Sequence, residues 1–156
     1  MKLRRPPRPT GAAFLLAQLG AHAADRFAER IEGLGVAPRH AGILRVVATT
    51  PVCNQRLLAK RLGVLPSRMV ILLDELTEKG LLERKRSTKD RRHSEIILTR
   101  RGQRMLEKLS RLAAEHEADL CAALTAKERE DLAALGRKIV HQQGLTPDVH
   151  PGYRKL

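Results

Sequence analysis

The chain has no tryptophan, a single tyrosine (Tyr153) and only two phenylalanines, Phe14 and Phe27. Its core must therefore come from Leu, Val, Ile and Ala, a mixture that suits packed helices. Two cysteines, Cys53 and Cys121, are too few for a disulfide scaffold and fit no metal-binding cluster. No apolar run reaches the roughly 18 residues of a membrane span. The basic start, Met1 to Pro9, is not followed by a signal-peptide pattern with a clear cleavage site, so a cytoplasmic protein without membrane partners is expected. There is no recognisable Ser/His/Asp set, phosphate loop or catalytic pair of carboxylates, and these absences argue against an enzyme.

Acidic residues are also scarce, 17 against 30 lysines and arginines, leaving a net charge of +13. Its placement is more informative than its size. Residues 1–9 carry +4, 10–78 carry +2, 79–104 carry +7, and 105–156 carry none. More than half of the excess thus sits in one sixth of the chain. Positive charge gathered in this way attracts phosphate and makes binding depend steeply on salt, so nucleic acid is the expected partner.

With 156 residues the chain reads as one domain with a substantial core. Residues 1–10 form a basic, extended tail. From about Gly11 to Glu32, Phe14, Leu15, Leu19, Ala23, Phe27 and Ile31 recur at helical spacing, and Gly33-Leu34-Gly35 ends that helix. Pro38 opens a second helix with Ile43, Leu44, Val46 and Val47 inward. Asn54 can cap a third through its side-chain oxygen. Gly63 can take the left-handed conformation that turns the chain, and Pro66 starts a fourth helix with Met69, Leu72, Leu73 and Leu76 on one face. Leu81–Arg86 and Ser94–Leu98 read as strands joined by the polar turn Ser87–His93. Thr99 can cap a long helix holding Met105, Leu106, Leu109, Leu112, Ala113, His116, Leu120 and Leu124. Thr125-Ala126-Lys127-Glu128 is a capping-box sequence opening a last helix with Leu132, Leu135, Ile139 and Val140 on one side. Gly144 ends it, and 145–156 is expected to be an irregular tail.

Leu58, Ala59, Leu62, Gly63, Val64, Met69 and Leu72 together resemble a helix-turn-helix, the motif whose second helix enters the major groove of DNA. The hairpin that follows is then a wing. The segments Leu57–Val64, Leu73–Arg84, Asp90-Arg91-Arg92 and Leu98–Gly102, in this order and spacing, resemble the MarR family of bacterial transcriptional regulators over roughly residues 11 to 143. The resemblance implies a mainly α fold with a small β-wing and a homodimer on double-stranded DNA. Residues 11–36 and 103–144 would supply the dimerisation helices, and 37–102 the winged helix-turn-helix, within a domain spanning 11–144. It also implies a pseudo-palindromic operator, with half-sites about 34–36 Å apart. Release by a small-molecule effector is implied too, with repression as the output. The broad apolar faces of the first and last helices argue for the dimer independently.

Position and chemistry assign expected roles. Arg91 or Arg92 at the wing tip is placed to enter a narrow minor groove, and Asp90 to pair with one of them and fix the turn. Asn54, Ser67 and Lys89 are candidate phosphate contacts, and Arg68 a candidate bidentate contact to guanine. Val70 and Ile71 depart from the polar or basic groups common at such positions in the family; facing the groove, they can meet thymine methyls but cannot donate hydrogen bonds. Glu75 adds negative charge to the same helix, and Leu65 stands where a capping side chain would be expected. These departures leave open a second function, a sequence-tolerant architectural DNA-binding protein. Phe14, His22, Arg39 and His40 are candidate lining residues for an effector pocket between the wing domain and the dimer helices. His40 and His116 lie on segments that could converge, but His116 has no second histidine four residues away, so no metal or cofactor is expected. Cys121 is expected to pack in the core. Cys53, preceding a helix start and near Arg56, lies in surroundings that can stabilise a thiolate, against the plainer expectation of a packed side chain.

Overall fold

The chain runs α1 (Ala12–Ile31), α2 (Pro38–Thr49), α3 (Gln55–Leu62), α4 (Pro66–Glu78), β1 (Leu82–Arg86), β2 (Ser94–Leu98), α5 (Arg100–Leu120) and α6 (Ala126–Gln142). This is a computed structural model, and it describes residues 11–86 and 94–150. Residues 1–10, 87–93 and 151–156 lie outside that description.

Local chemistry accounts for most element ends. A short 3₁₀ turn at Glu32–Leu34 follows α1 and closes at Gly35, whose φ of 68° lies in the left-handed region. Asn54 Oδ1 accepts the Leu57 N–H at 2.9 Å and starts α3. Gly63, at φ 66°, stops it and turns the chain into α4. No side chain caps α4, since Leu65 has no acceptor to offer; Pro66 at the first helical position presets the backbone instead. Thr99 caps α5 through the Gly102 N–H, and Thr125 with Glu128 forms a complete capping box on α6.

Two ends differ from the sequence-based expectation. Leu124 does not belong to the long helix, which ends at Leu120 and passes through a turn closed by the Leu124 N–H on the Cys121 carbonyl. The cause is Thr125, whose extended backbone as a cap requires the chain to leave the helix beforehand. β1 begins at Leu82 rather than Leu81, because Leu81 is spent on a junction: its N–H bonds to the Leu76 carbonyl, and its carbonyl accepts from Thr99 N–H.

The core lies under the helix-turn-helix. Ile43 and Leu44 of α2, Leu58 of α3, and Met69, Leu72 and Leu76 of α4 are fully buried, and Leu73 and Leu81 nearly so. Truncating any of these to alanine costs about 2–5 kcal/mol by transfer and cavity terms. The antiparallel hairpin pairs Leu82 with Leu98 and Arg86 with Ser94. The middle of β2 is held by the Ile96 N–H on the Cys53 carbonyl at 2.7 Å. α5 packs along α1 and α2, and Arg30 of α1 pairs with Glu115 and Asp119 of α5. After α6, residues 145–150 form no regular element. Val149 packs against the core, and Arg45 donates to the Asp148 carbonyl.

Gly102 sits where α5 crosses the start of the wing. A Cβ built there would lie 2.0 Å from the Leu81 carbonyl oxygen and 3.0 Å from its carbon, both backbone atoms that cannot swing aside. Gly102→Ala is expected to destabilise the protein by about 1–3 kcal/mol by forcing α5 away from the wing root. Urea unfolding checks this, and an unshifted midpoint would contradict the contact.

Candidate nucleic-acid interface

The buried stripe of α4 fixes what the helix shows to solvent. Met69, Leu72, Leu73 and Leu76 point inward, so Ser67, Ile71, Asp74 and Glu78 are exposed, with Arg68, Val70 and Glu75 half-buried at the flanks. On one side, Asp74 is tied to the wing: Arg84 of β1 donates to its Oδ1 at 2.9 Å. On the other, Glu75 is tied to α2. His40 Nδ1 accepts the Ala37 N–H at 3.1 Å, so Nε2 carries the proton and donates to Glu75 Oε2 at 2.7 Å. Ala37 has no side-chain acceptor, and His40 thus supplies the reciprocal half of a capping box while anchoring α4. Arg39 Nη2 lies 3.8 Å from the same carboxylate.

The charges follow from this geometry. Burial lowers the His40 pKa below its ordinary value and keeps the ring neutral, although the bond to Glu75 works the other way. Glu75 is held below the usual carboxylate range chiefly by the His40 hydrogen bond, with help from the Arg39 and Arg68 charges, against the opposing effect of burial.

The candidate DNA contacts fall into three groups. Asn54 is half-buried and its oxygen is committed to the cap of α3, leaving its amide nitrogen to face a phosphate. Ser67, Val70 and Ile71 share the outer side of α4. Arg68 is half-buried beside Glu75, with a buried Nε that has no hydrogen-bond partner among the described residues. Lys89, Asp90, Arg91 and Arg92 lie outside the described residues. The wing strand nevertheless adds exposed Lys85 and Arg86, which sequence reasoning left as an undivided basic run; so too Arg84, whose partner Asp74 is ten residues away.

The four candidate pocket residues do not converge in one chain. Phe14 and His22 are exposed on α1, whereas Arg39 and His40 line an open concavity with Val36, Pro38 and Lys79. A larger open cavity, about 1150 Å³, lies between the end of α2, β2 and α5, walled by Val47, Val52, Cys53, Ile96, Leu98 and Leu106, with Gln103, Glu107 and Arg111 among its polar groups. Val52 holds φ 52°, a left-handed backbone that a β-branched residue adopts only under strain. His116 packs against Phe27, and among the described residues no three His, Cys, Asp or Glu side chains are grouped to hold a metal ion. Of the two readings of Cys53 the structure favours the packed side chain: it is 2% exposed, and burial pushes its pKa to about 11 despite the charge of Arg61. Arg56 is not among the charges acting on it.

Residues 34–93 match the MarR family model. A Thauera aromatica protein assigned as a transcriptional regulatory protein for the hcr operon is 33% identical over 113 residues, covering 72% of this chain and 68% of the relative. The chain belongs to the MarR family. Members are transcription regulators and not enzymes. Among solved structures, the transcriptional repressor CouR bound to a 23-mer DNA duplex superposes with a TM-score of 0.76 at 26% identity, over 90% of this chain and 99% of CouR. CouR from Rhodococcus jostii RHA1 bound to p-coumaroyl-CoA gives 0.72 at 23% identity, over 86% and 95%. This MarR-family chain shares their winged helix-turn-helix fold. No helix among its described residues is long and apolar enough to cross a membrane.

Two measurements test the site. Because the folded protein holds His40 neutral, stability is complete above about pH 6.5, where the ring titrates ordinarily, and is lost as pH falls toward the depressed folded value. Glu75 adds a loss only below its ordinary 4.5, as pH falls through its own lowered value. His40→Gln should flatten the urea midpoint between pH 7 and 5; equal slopes in both proteins would refute the assignment. In native protein at pH 7.5, iodoacetamide should label Cys121 well before Cys53. Equal labelling rates would show that Cys53 is not sealed.

Proposed function

We propose that this chain is a homodimeric repressor that binds a pseudo-palindromic operator and is released by a small ligand. The observation that carries this reading is the pairing of an outward-facing α4 with the +7 charge of residues 79–104. Arg68, Val70 and Ile71 would face the major groove, with Asn54, Ser67 and Lys89 on phosphate. Arg91 and Arg92 would enter the minor groove, with Asp90 bracing the turn. The DNA-bound state of CouR supports this use of the fold.

Self-association is supported by side chains left uncovered in a single chain. Phe14, Leu15, Leu16 and Leu19 of α1, and Leu132, Leu135 and Ile139 of α6, are each 44–57% exposed. Large apolar side chains left exposed in such number are characteristic of an interface. We accordingly divide the chain into a basic tail (1–10), dimerisation segments (11–36 and 103–144), a winged helix-turn-helix (37–102) and a C-terminal tail (145–156). For the effector, the cavity between α2, β2 and α5 offers more room than the concavity at Arg39 and His40, and CouR's complex with p-coumaroyl-CoA is the precedent for a ligand on this fold. The sequence-tolerant architectural alternative draws on apolar Val70 and Ile71 in α4.

Competition binding separates the two. A duplex selected by the protein from a random pool should be preferred over bulk DNA by about 10³-fold or more, with affinity falling steeply with salt, and Arg91→Ala should weaken it strongly at constant salt. Equal affinity for selected and bulk DNA would leave the architectural reading standing in its place. A monomer at micromolar concentration by analytical ultracentrifugation would defeat the dimer.

A further inference from the structure

Ile71 is 48% exposed in the second turn of α4, and Leu65, immediately before the helix, is 71% exposed. Leaving large aliphatic groups in water on this face is unfavourable unless something apolar covers them. The polar inventory narrows what that is. Between Met69 and Glu78 the helix has no Lys, Arg, Asn, Gln or His. Its one hydroxyl, Thr77 Oγ1, donates to the Leu73 carbonyl at 2.7 Å. Asp74 is engaged by Arg84, and Glu75 by His40 and Arg39. Beyond Arg68 this helix therefore has no donor free for the purine N7, guanine O6 or thymine O4 acceptors of the major groove. The remaining major-groove feature that suits an aliphatic side chain is the thymine 5-methyl group.

We infer that Ile71, flanked by Val70, reads thymine in the operator half-site through its 5-methyl group, making methyl burial the principal base readout of α4 beyond Arg68. This rests on the regulator reading above. Cytosine offers no methyl at that position, and adenine and guanine present polar edges there, so the side chain discriminates by shape and desolvation without a hydrogen bond. Ser67 and Arg68, a turn earlier, then set the approach of the helix. Selectivity carried in this way should be insensitive to salt, unlike the attraction of the wing.

The test uses the full chain and the duplex it selects from a random pool. Each thymine is replaced in turn by 2′-deoxyuridine, which deletes one methyl and leaves every hydrogen-bonding group in place. At one or two positions per half-site, affinity should fall about fourfold, the ratio expected for burial of one methyl-sized group. Ile71→Ala should bind thymine and deoxyuridine duplexes alike, while its thermal unfolding, reflecting an exposed site, stays close to the parent's. Sequence-selective binding that ignores deoxyuridine at every position overturns this inference alone. So does an Ile71→Ala protein that still distinguishes the two duplexes. Failure to select any sequence takes down the regulator reading and this inference with it.

Discussion

A helix that reads DNA must be held by one face and free on the other, and in this chain that requirement falls on four side chains. Met69, Leu72, Leu73 and Leu76 are essentially without solvent contact, and their burial sets both the depth and the rotation of α4. The polar ties then act as guy lines on an already seated rod. His40 holds Glu75 from α2, and Arg84 holds Asp74 from β1, one on each flank. The Asp74–Arg84 ion pair need not contribute much stability, since both side chains are well exposed and such pairs contribute little in water. The effect of the two ties is on direction, stopping the helix from rolling about its apolar stripe.

What could be read from the sequence was what is decided within a few residues. Asn54, Thr99 and Thr125 cap their helices because a cap needs only its own side chain and an N–H three residues on. Gly63 and the stripe of α4 were legible for the same reason, and so was the placement of the strands. The His40–Glu75 bond spans 35 positions, and nothing local in either residue announces the other. Cys53 shows the same limit from another side: its neighbours in sequence left an activated thiol open beside a packed one, and its neighbours in space decide for burial. Leu124 was assigned by period alone, and the extended cap at Thr125 outweighed that period. Of the four suggested pocket residues, Arg39 and His40 meet while Phe14 and His22 stay apart, because the relative rotation of α1 and α2 is a tertiary fact.

Charge and shape divide the work of recognition in the proposed complex. The wing region supplies positive charge that is indifferent to base identity, and α4 supplies little hydrogen-bonding capacity beyond its first turn. The cavity between α2, β2 and α5 lies between these parts and the long helices. Its wall includes the loop of strained Val52 and the Cys53 carbonyl that holds β2, so its width and the seating of the wing are set by the same few backbone atoms.

The tight crossing of Gly102 over Leu81 has a mechanical consequence. With no side chain between them, α5 and the wing root meet backbone to backbone, leaving little slack at the joint. At 21 residues, α5 is about 31 Å long. A tilt of about 5° about Gly102, close to its N-terminal end, moves the Leu120 end, about 27 Å away, through about 2 Å. With the joint at one end of the rod, such a tilt reaches the wing root as a change of angle and hardly at all as a change of position.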